Sequence, residues 1–430
     1  RGYVTPADFV RERFGSSSLA LAVAITGILA TMPYIALQIF GIEVSLAQMG
    51  VPIEISLIIA FAILAAYTYT SGLRAPAVIA IVKDICIWLV VLVAIIYIPL
   101  KLGGMGKVFE AVQAKSQQYP KDFHTFLPSG QLSAYVSLAL GSALALFLYP
   151  HTLTGVLSTN SRKVIRRNVA LLPAYTLLLG MIALLGYVAI AADIKLPPAY
   201  KSNGALPALF AKMFPGWFAG FAFAALAIGA LAPAAIMSIA AANLFTRNIY
   251  REYFRPTCTE REESNTARMV SLVVKLGALA FILFFPTTLA INLQLLSTIW
   301  IIQSFPAVFL GLYTSWFHQR ALLIGLISGL VVGTGLVIGQ SFLSSVATIS
   351  LGALDLPLYV AMIALVVNLT ISVALTLLFR FLQIPGGVDA TTPADFEAHP
   401  VAGSRQESLE AQISQPAAST VYDQPLRKPS

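Results

Sequence analysis

Ser238 and Asn243 lie five residues apart in an otherwise apolar run, and Pro233 precedes Ser238 by a little more than one helical turn. Proline has no N–H, so a helix here leaves the carbonyl of Gly229 without its usual partner. A freed main-chain oxygen near hydroxyl and amide groups is suited to holding a cation or a polar solute. Asp84 falls about eight residues into another apolar run, on the order of 12 Å deep at the helical rise. An ionised carboxylate there needs a partner. It reads either as part of a cation path or as half of an ion pair with Lys275, which is equally deep in a different run. Tyr149-Pro150-His151 combines a helix-breaking proline with an imidazole that titrates near neutral pH. It reads as a gate or proton carrier, or as a kink whose histidine meets headgroups. Gln294, Ser297 and Gln303 are polar positions of one long run, and the step from Gln294 to Ser297 puts both on one helix face. Solute contact and interhelix hydrogen bonding both fit these three. Gln38 and Asn368 read as packing residues.

The elements that must position these groups are membrane helices. The 430 residues are 58% hydrophobic and 11% charged, with a mean hydropathy of +0.81. A soluble domain of this size could not hide so much apolar surface, so the class is a polytopic helical membrane protein. The net charge of +8 sits in short loops between apolar runs, which argues for topology and against nucleic acid. Cys86 and Cys258 are far apart, no metal-ligand spacing is present, and no cofactor motif or nucleophile elbow occurs.

Hydropathy predicts about ten spans: 18–40, 53–69, 77–99, 132–157, 169–192, 215–245, 267–285, 289–317, 321–339 and 357–382. Residues 341–353 are too short to cross and read as a loop or surface helix. Basic residues alternate between short loops. Arg11 and Arg13, Arg74, Arg162 to Arg167, Arg247 to Arg261 and Arg320 mark one side, which predicts a multi-pass inner-membrane protein with both ends of the chain cytoplasmic. Residues 1–384 form the membrane domain in this reading. The stretch 385–430, rich in Pro, Ala, Ser and Gln, reads as a disordered cytoplasmic tail. The chain begins at Arg1 inside a loop, so upstream helices are expected to be missing.

Four motifs carry a family resemblance. Thr5-Pro6-Ala7-Asp8-Phe9 with Arg13-Phe14-Gly15, then Ser71-Gly72-Leu73-Arg74-Ala75, Phe245-Thr246-Arg247-Asn248-Ile249-Tyr250 and Gly311-Leu312-Tyr313 occur in the order and on the side seen in sodium:solute symporters. Residues 234–248 with Tyr149-Pro150-His151 are most similar to the monocarboxylate-permease branch. The resemblance implies an all-α leucine-transporter-like bundle of two inverted repeats. The spans here would be core helices three to ten plus two peripheral ones, with the first two core helices absent. It also implies a break near Gly141 and Ser142, with Ser142 contacting the solute, and a glutamine among 294–303 doing likewise. Asn243 joins the solute set. In sodium-coupled members the eighth core helix offers two adjacent hydroxyls. Here Ala232 and Pro233, with the carbonyl of Gly229, fall at those positions in one register, and Ser238 with Ile239 in another. The sodium site is altered either way, and proton coupling stays open.

The function these features imply is a secondary active transporter of a small organic solute, most plausibly a monocarboxylate, driven by sodium or protons and needing no cofactor. A passive channel or sensor is the alternative. A membrane enzyme would need a catalytic cluster at one depth, and the sequence shows none.

Overall fold

The computed structural model describes residues 3–71, 74–119, 124–159, 161–284, 290–352, 354–392 and 395. Gly72 and Leu73 of the second motif, and the expected tail beyond residue 395, lie outside them.

Helix α1 (Pro6–Phe14) begins at a capping box: the Thr5 hydroxyl accepts from Asp8 N, and the Asp8 carboxylate accepts from Thr5 N. Gly15 turns the chain at φ 56° into α2 (Ser17–Gln48). This helix is the spine of the bundle. The sequence places its end at Phe40, but it continues to Gln48 and carries Glu43 and Ser45 into buried positions. The chain then runs through α3 (Ile53–Ser71), α4 (Arg74–Lys101), α5 (Met105–Gln118), α6 (Leu132–Leu146), α7 (Pro150–Leu157) and α8 (Arg162–Ala191). After α9 (Ala205–Met213), α10 (Gly216–Phe245) passes into π-helical turns over Thr246–Phe254, followed by α11 (Glu260–Phe284) and α12 (Ile291–Ile301). The last elements are α13 (Gly311–Tyr313), α14 (Gln319–Gly339), β1 (Val346–Leu351), β2 (Leu354–Tyr359) and α15 (Val360–Phe381). Small residues of α10 pack closely on α2, and α3, α11 and α12 complete the core around them.

Among the described residues, eight helices are long and apolar enough to cross a membrane. The segment from α12 through α13, bent by 41°, makes a ninth, and residues 53–68 of α3 form a shorter apolar helix. The bend follows from Pro306, which cannot continue the ladder of α12. Leu, Ile and Val side chains of α4 and α8, such as Ile81, Ile85, Leu171 and Leu177, face outward. Such a surface is stable against lipid and not against water.

Two expectations change. Residues 346–359 are neither loop nor helix but an antiparallel hairpin, with Val346 opposite Tyr359 and Leu351 opposite Leu354. The alternation Val346, Thr348, Ser350 against Ala347, Ile349 has the two-residue period of a strand. The stretch from Pro385 also starts differently from a solvated tail. Residues 385–390 lie along α1: Arg13 pairs with Asp389 at 2.8 Å, and Ala390 N donates to Glu12 O at 2.9 Å. The contact needs glycine, because a Cβ on Gly387 would stand 1.9 Å from Phe14 O. Of the described residues, those up to Ala390 belong to one compact unit and Thr391, Thr392 and Asp395 to another. Within the latter, Asp395 accepts from Thr392 N and Oγ1.

Candidate functional site

The predicted single span over 132–157 is two helices, because Pro150 disfavours α geometry at the residue before it. Tyr149 is extended at φ −60°, ψ 132°, and α7 begins on Pro150. The break therefore falls at residues 147–149, about two turns beyond the Gly141–Ser142 position that the resemblance implies. The Pro150 ring seats against Gly27 of α2, where a Cβ would come within 3.1 Å of it.

The break turns Tyr149 inward, 4% exposed. Its hydroxyl lies 2.9 Å from Thr298 Oγ1 and accepts from Ser297 Oγ at 3.2 Å, both on α12. Thr298 Oγ1 in turn donates to Gln294 O at 3.0 Å. One proton per hydroxyl fixes the direction of the chain, from Ser297 to Tyr149 to Thr298 to Gln294 O. Three rings meet around it at tilted and edge-on angles: Tyr34 of α2 stands 5.3 Å from Tyr149 and 5.8 Å from His151, and Tyr149 and His151 are 5.3 Å apart. His151 Nδ1 is buried and has no hydrogen-bond partner among the described residues. Tyr359, at the end of the hairpin, ties α6 to α12: its N–H donates to Ser137 Oγ at 2.9 Å and its hydroxyl to Leu295 O at 2.7 Å. The result is a set of hydroxyls and one imidazole, held by helices whose ladder is interrupted. The hydroxyl protons are committed to one another and to Gln294 O, which leaves the imidazole of His151 as the group able to bond a polar solute. Among the described residues no group of three or more His, Cys, Asp or Glu could hold a metal ion.

A cavity of about 410 Å³ lies between α2, α4, α8, α9 and α10. Its wall is mostly apolar, with Gln38, Ser45 and Asn203 as polar points, and Gly229 contributes to it. At the end of the bundle that carries α1, a second cavity of about 560 Å³ is lined by Asn243, Thr246, Arg247, Arg251, Ser264 and Arg268, among others. Beside it, Asn248 Nδ2 donates to Asp8 Oδ1 at 2.8 Å and the Thr5 hydroxyl donates to Asn248 Oδ1 at 2.8 Å, which fastens α1 to the π-helical turns.

The sequence candidates thus divide among several places. Tyr149, His151 and Ser297 meet at the break, and half-buried Gln294 joins through its carbonyl. Gly229 reaches the first cavity, with Ala232 fully buried and Pro233 half-buried in an α10 that stays helical throughout. Ser238 is fully buried and donates to Ala235 O of its own helix. Asn243 lines the second cavity instead of the break. Ser142 is exposed on the outer face of α6. Gln303 is fully buried away from the break, accepting from Asn368 Nδ2 at 3.2 Å and donating to Ile299 O. Asp84 does not pair with Lys275. It is half-exposed and pairs with Lys83 at 2.5 Å, the adjacent residue on α4. Lys275 is fully buried, and its Nζ meets Ser271 Oγ at 3.5 Å. Gln38, expected to serve packing, lines the first cavity, whereas Asn368 does hold α12 and α15 together. Sequence reasoning missed Tyr34, Thr298 and Tyr359, which are inconspicuous in apolar runs. Glu43 escapes hydropathy because the apolar run ends at Phe40, whereas the helix continues to Gln48.

Residues 1–329 match the model of the Sodium:solute symporter family. The chain belongs to the sodium:solute symporter family. It is 51% identical over 377 residues to a protein of Rhizobium johnstonii named monocarboxylate transport permease, covering 88% of this chain and 76% of that one. It is 35% identical over 344 residues to the uncharacterized symporter YodF of Bacillus subtilis, covering 78% and 68%. A solved structure of a Na+-coupled sialic acid symporter, in a substrate-bound outward-open state, superposes with a TM-score of 0.68 at 15% identity, over 89% of this chain and 78% of that one. The sequence expectation of an all-helical, leucine-transporter-like bundle agrees with that likeness. As a family member the chain is a multi-pass, cation-coupled symporter and not an enzyme.

Proposed function

We propose that this symporter carries a small monocarboxylate by alternating access, using a sodium or proton gradient. The observation that carries the reading is the interruption at residues 147–149, where Tyr149 meets Ser297 and Thr298. Interrupted helices at membrane depth are tolerated where they line a cavity or a binding site. The imidazole of His151, whose Nδ1 has no hydrogen-bond partner among the described residues, suits an oxygen of a carboxylate. The name of the Rhizobium johnstonii relative supports a monocarboxylate as the solute class. On the side of the cation, α10 offers no adjacent pair of hydroxyls: Ala232 and Pro233 stand in one register, Ser238 and Ile239 in the other. This favours protons as the second reading for the coupling ion. The alternation of basic loops supports an inner-membrane location with both ends of the chain cytoplasmic. The tail beyond residue 384 then serves as a cytoplasmic extension.

The test is uptake by the full chain in lipid vesicles with imposed gradients. A saturable flux of a labelled monocarboxylate, raised by an inward sodium or proton gradient, is expected. A flux that ignores both gradients would instead indicate a passive channel, and an absence of flux for every small acid would contradict the solute class.

A further inference from the structure

Glu43 is a buried carboxyl that neither the transport reading nor the helix packing uses. It sits on α2, 5% exposed, and Tyr200 donates its hydroxyl to Oε1 at 3.2 Å. Oε2 is also buried and has no hydrogen-bond partner among the described residues. A structural acceptor for Tyr200 needs one oxygen. A second buried carboxylate oxygen with nothing to accept from is costly and calls for an explanation.

The surroundings are apolar. Phe40, Val44, Tyr200 and Ala290 pack together, with Ile282 of α11 against them, and the Phe40 and Tyr200 rings meet edge to face at 5.9 Å. The charged or titratable groups around this point are Tyr200 itself, its exposed neighbour Lys201, and Glu54 at the start of α3, whose charge reaches Tyr200. No Lys or Arg forms an ion pair with Glu43 among the described residues. Burial, and then the Glu43 carboxylate beside it, hold the Tyr200 phenol well above its ordinary value, so Tyr200 remains a donor at physiological pH. Its mount is stiff: Tyr200 N and Lys201 N both donate to Pro197 O, and Asn203 of the same turn accepts from Ala290 N through its side chain. Gly41 and Val44, within one turn of Glu43, line the 410 Å³ cavity.

We propose that Glu43 is a proton-accepting site of this carrier, with Oε2 taking the proton while Tyr200 holds Oε1. The inference rests on the reading of the chain as a gradient-driven carrier, and it names where one coupling ion is held. In the loading step an O–H bond of a hydronium ion that reaches Glu43 breaks and an O–H bond forms on Oε2. Glu43 goes from charge −1 to neutral and a water molecule is left behind. Release reverses the step. A proton suits the place better than sodium does, because a metal cation needs several oxygen ligands at once and the side chains here supply those of Glu43 and Tyr200.

The experiment combines infrared spectroscopy with transport, both on the full chain in lipid vesicles. In a titration from acid to alkaline pH, the unmodified protein is expected to show a protonated-carboxyl component that persists above the pH at which the exposed carboxyls have ionised, and Glu43→Gln to lose that component. Tyr200→Phe should keep the band but shift its midpoint, which guards against a Glu43→Gln variant that merely misfolds. In transport, Glu43→Gln should lose stimulation of labelled pyruvate uptake by an inward proton gradient yet retain exchange of labelled for unlabelled pyruvate. Glu43→Asp should restore part of the stimulation. A spectrum in which Glu43→Gln removes no band, or a variant that keeps full proton stimulation, overturns the inference while leaving the carrier reading intact. A protein that shows the band but moves no acid contradicts the carrier reading and leaves the proton site standing.

Discussion

The hydroxyl of Tyr149 lies 2.9 Å from Oγ1 of Thr298, across the gap between a broken helix and the straight part of α12. The two residues are 149 positions apart in sequence, and the bond exists because Pro150 stops α6 from running on. If this contact belongs to the moving part of the carrier, Tyr149→Phe should insert normally, lose about 1 kcal/mol of stability for the missing bonds, and slow uptake. Ser297→Ala acts on the same hydroxyl, so the double variant should cost less than the sum of the two singles. Thermal unfolding in detergent and vesicle uptake check both points, and full additivity would mean the hydroxyls do not act together.

Gln303 belongs to a different structure. A Cβ on Gly329 would stand 2.1 Å from Gln303 Oε1, and Asn368 donates to the same side chain. Gly329→Ala should therefore destabilise the α12–α14–α15 packing by about 1–3 kcal/mol, the usual cost of overfilling a packed site. The apparent affinity for the solute should not change in the protein that remains folded. A raised half-saturation concentration would show that Gln303 reaches the solute after all.

Lys275 is fully buried, with Ser271 Oγ at 3.5 Å as its hydrogen-bond partner. An ammonium so placed is expensive to desolvate. Lys275→Met should raise thermal stability by about 1–4 kcal/mol, as replacements of buried charge by apolar groups often do. A lower melting temperature would indicate a counter-charge that the observed contacts lack.

Asn248 bridges Thr5 and Asp8, fastening α1 beneath the end of α10. Asn248→Ala leaves Asp8 Oδ1 and the Thr5 hydroxyl without that partner, at a cost of about 1–3 kcal/mol. Protease digestion should then cut near α1 faster than in the unmodified protein. An unchanged digestion pattern would show that the capping box and the ion pair of Arg247 Nε with Asp8 Oδ2, at 3.7 Å, suffice.

The membrane helices were legible in sequence because each has a long apolar run, and the alternation of basic loops follows from the same pattern. Their ends and interruptions were less so. Hydropathy cannot see that α2 tolerates Glu43 once Tyr200 donates to it, so the apolar run stops at Phe40 while the helix does not. The break at Tyr149 was readable from Pro150, yet the resemblance drew it toward Ser142, which the fold leaves on an outer face. Tyr149 and Ser297 could be named as polar interruptions, but their meeting depends on how α7 and α12 pack, which no local pattern encodes. Asp84 and Lys275 looked like partners because they share a depth. Depth says nothing of direction around a helix axis, and Asp84 points to Lys83 instead.

The most direct test of the account is the steady-state accumulation of a labelled monocarboxylate by the full chain in gradient-loaded vesicles, compared with Pro150→Ala. Alanine restores the N–H that Pro150 lacks and lets the helix run through residues 147–149. The account predicts accumulation above the outside concentration for the unmodified chain and none for Pro150→Ala at equal membrane insertion. Equal accumulation by both proteins would contradict it, because the interruption at Tyr149 would then have no part in transport.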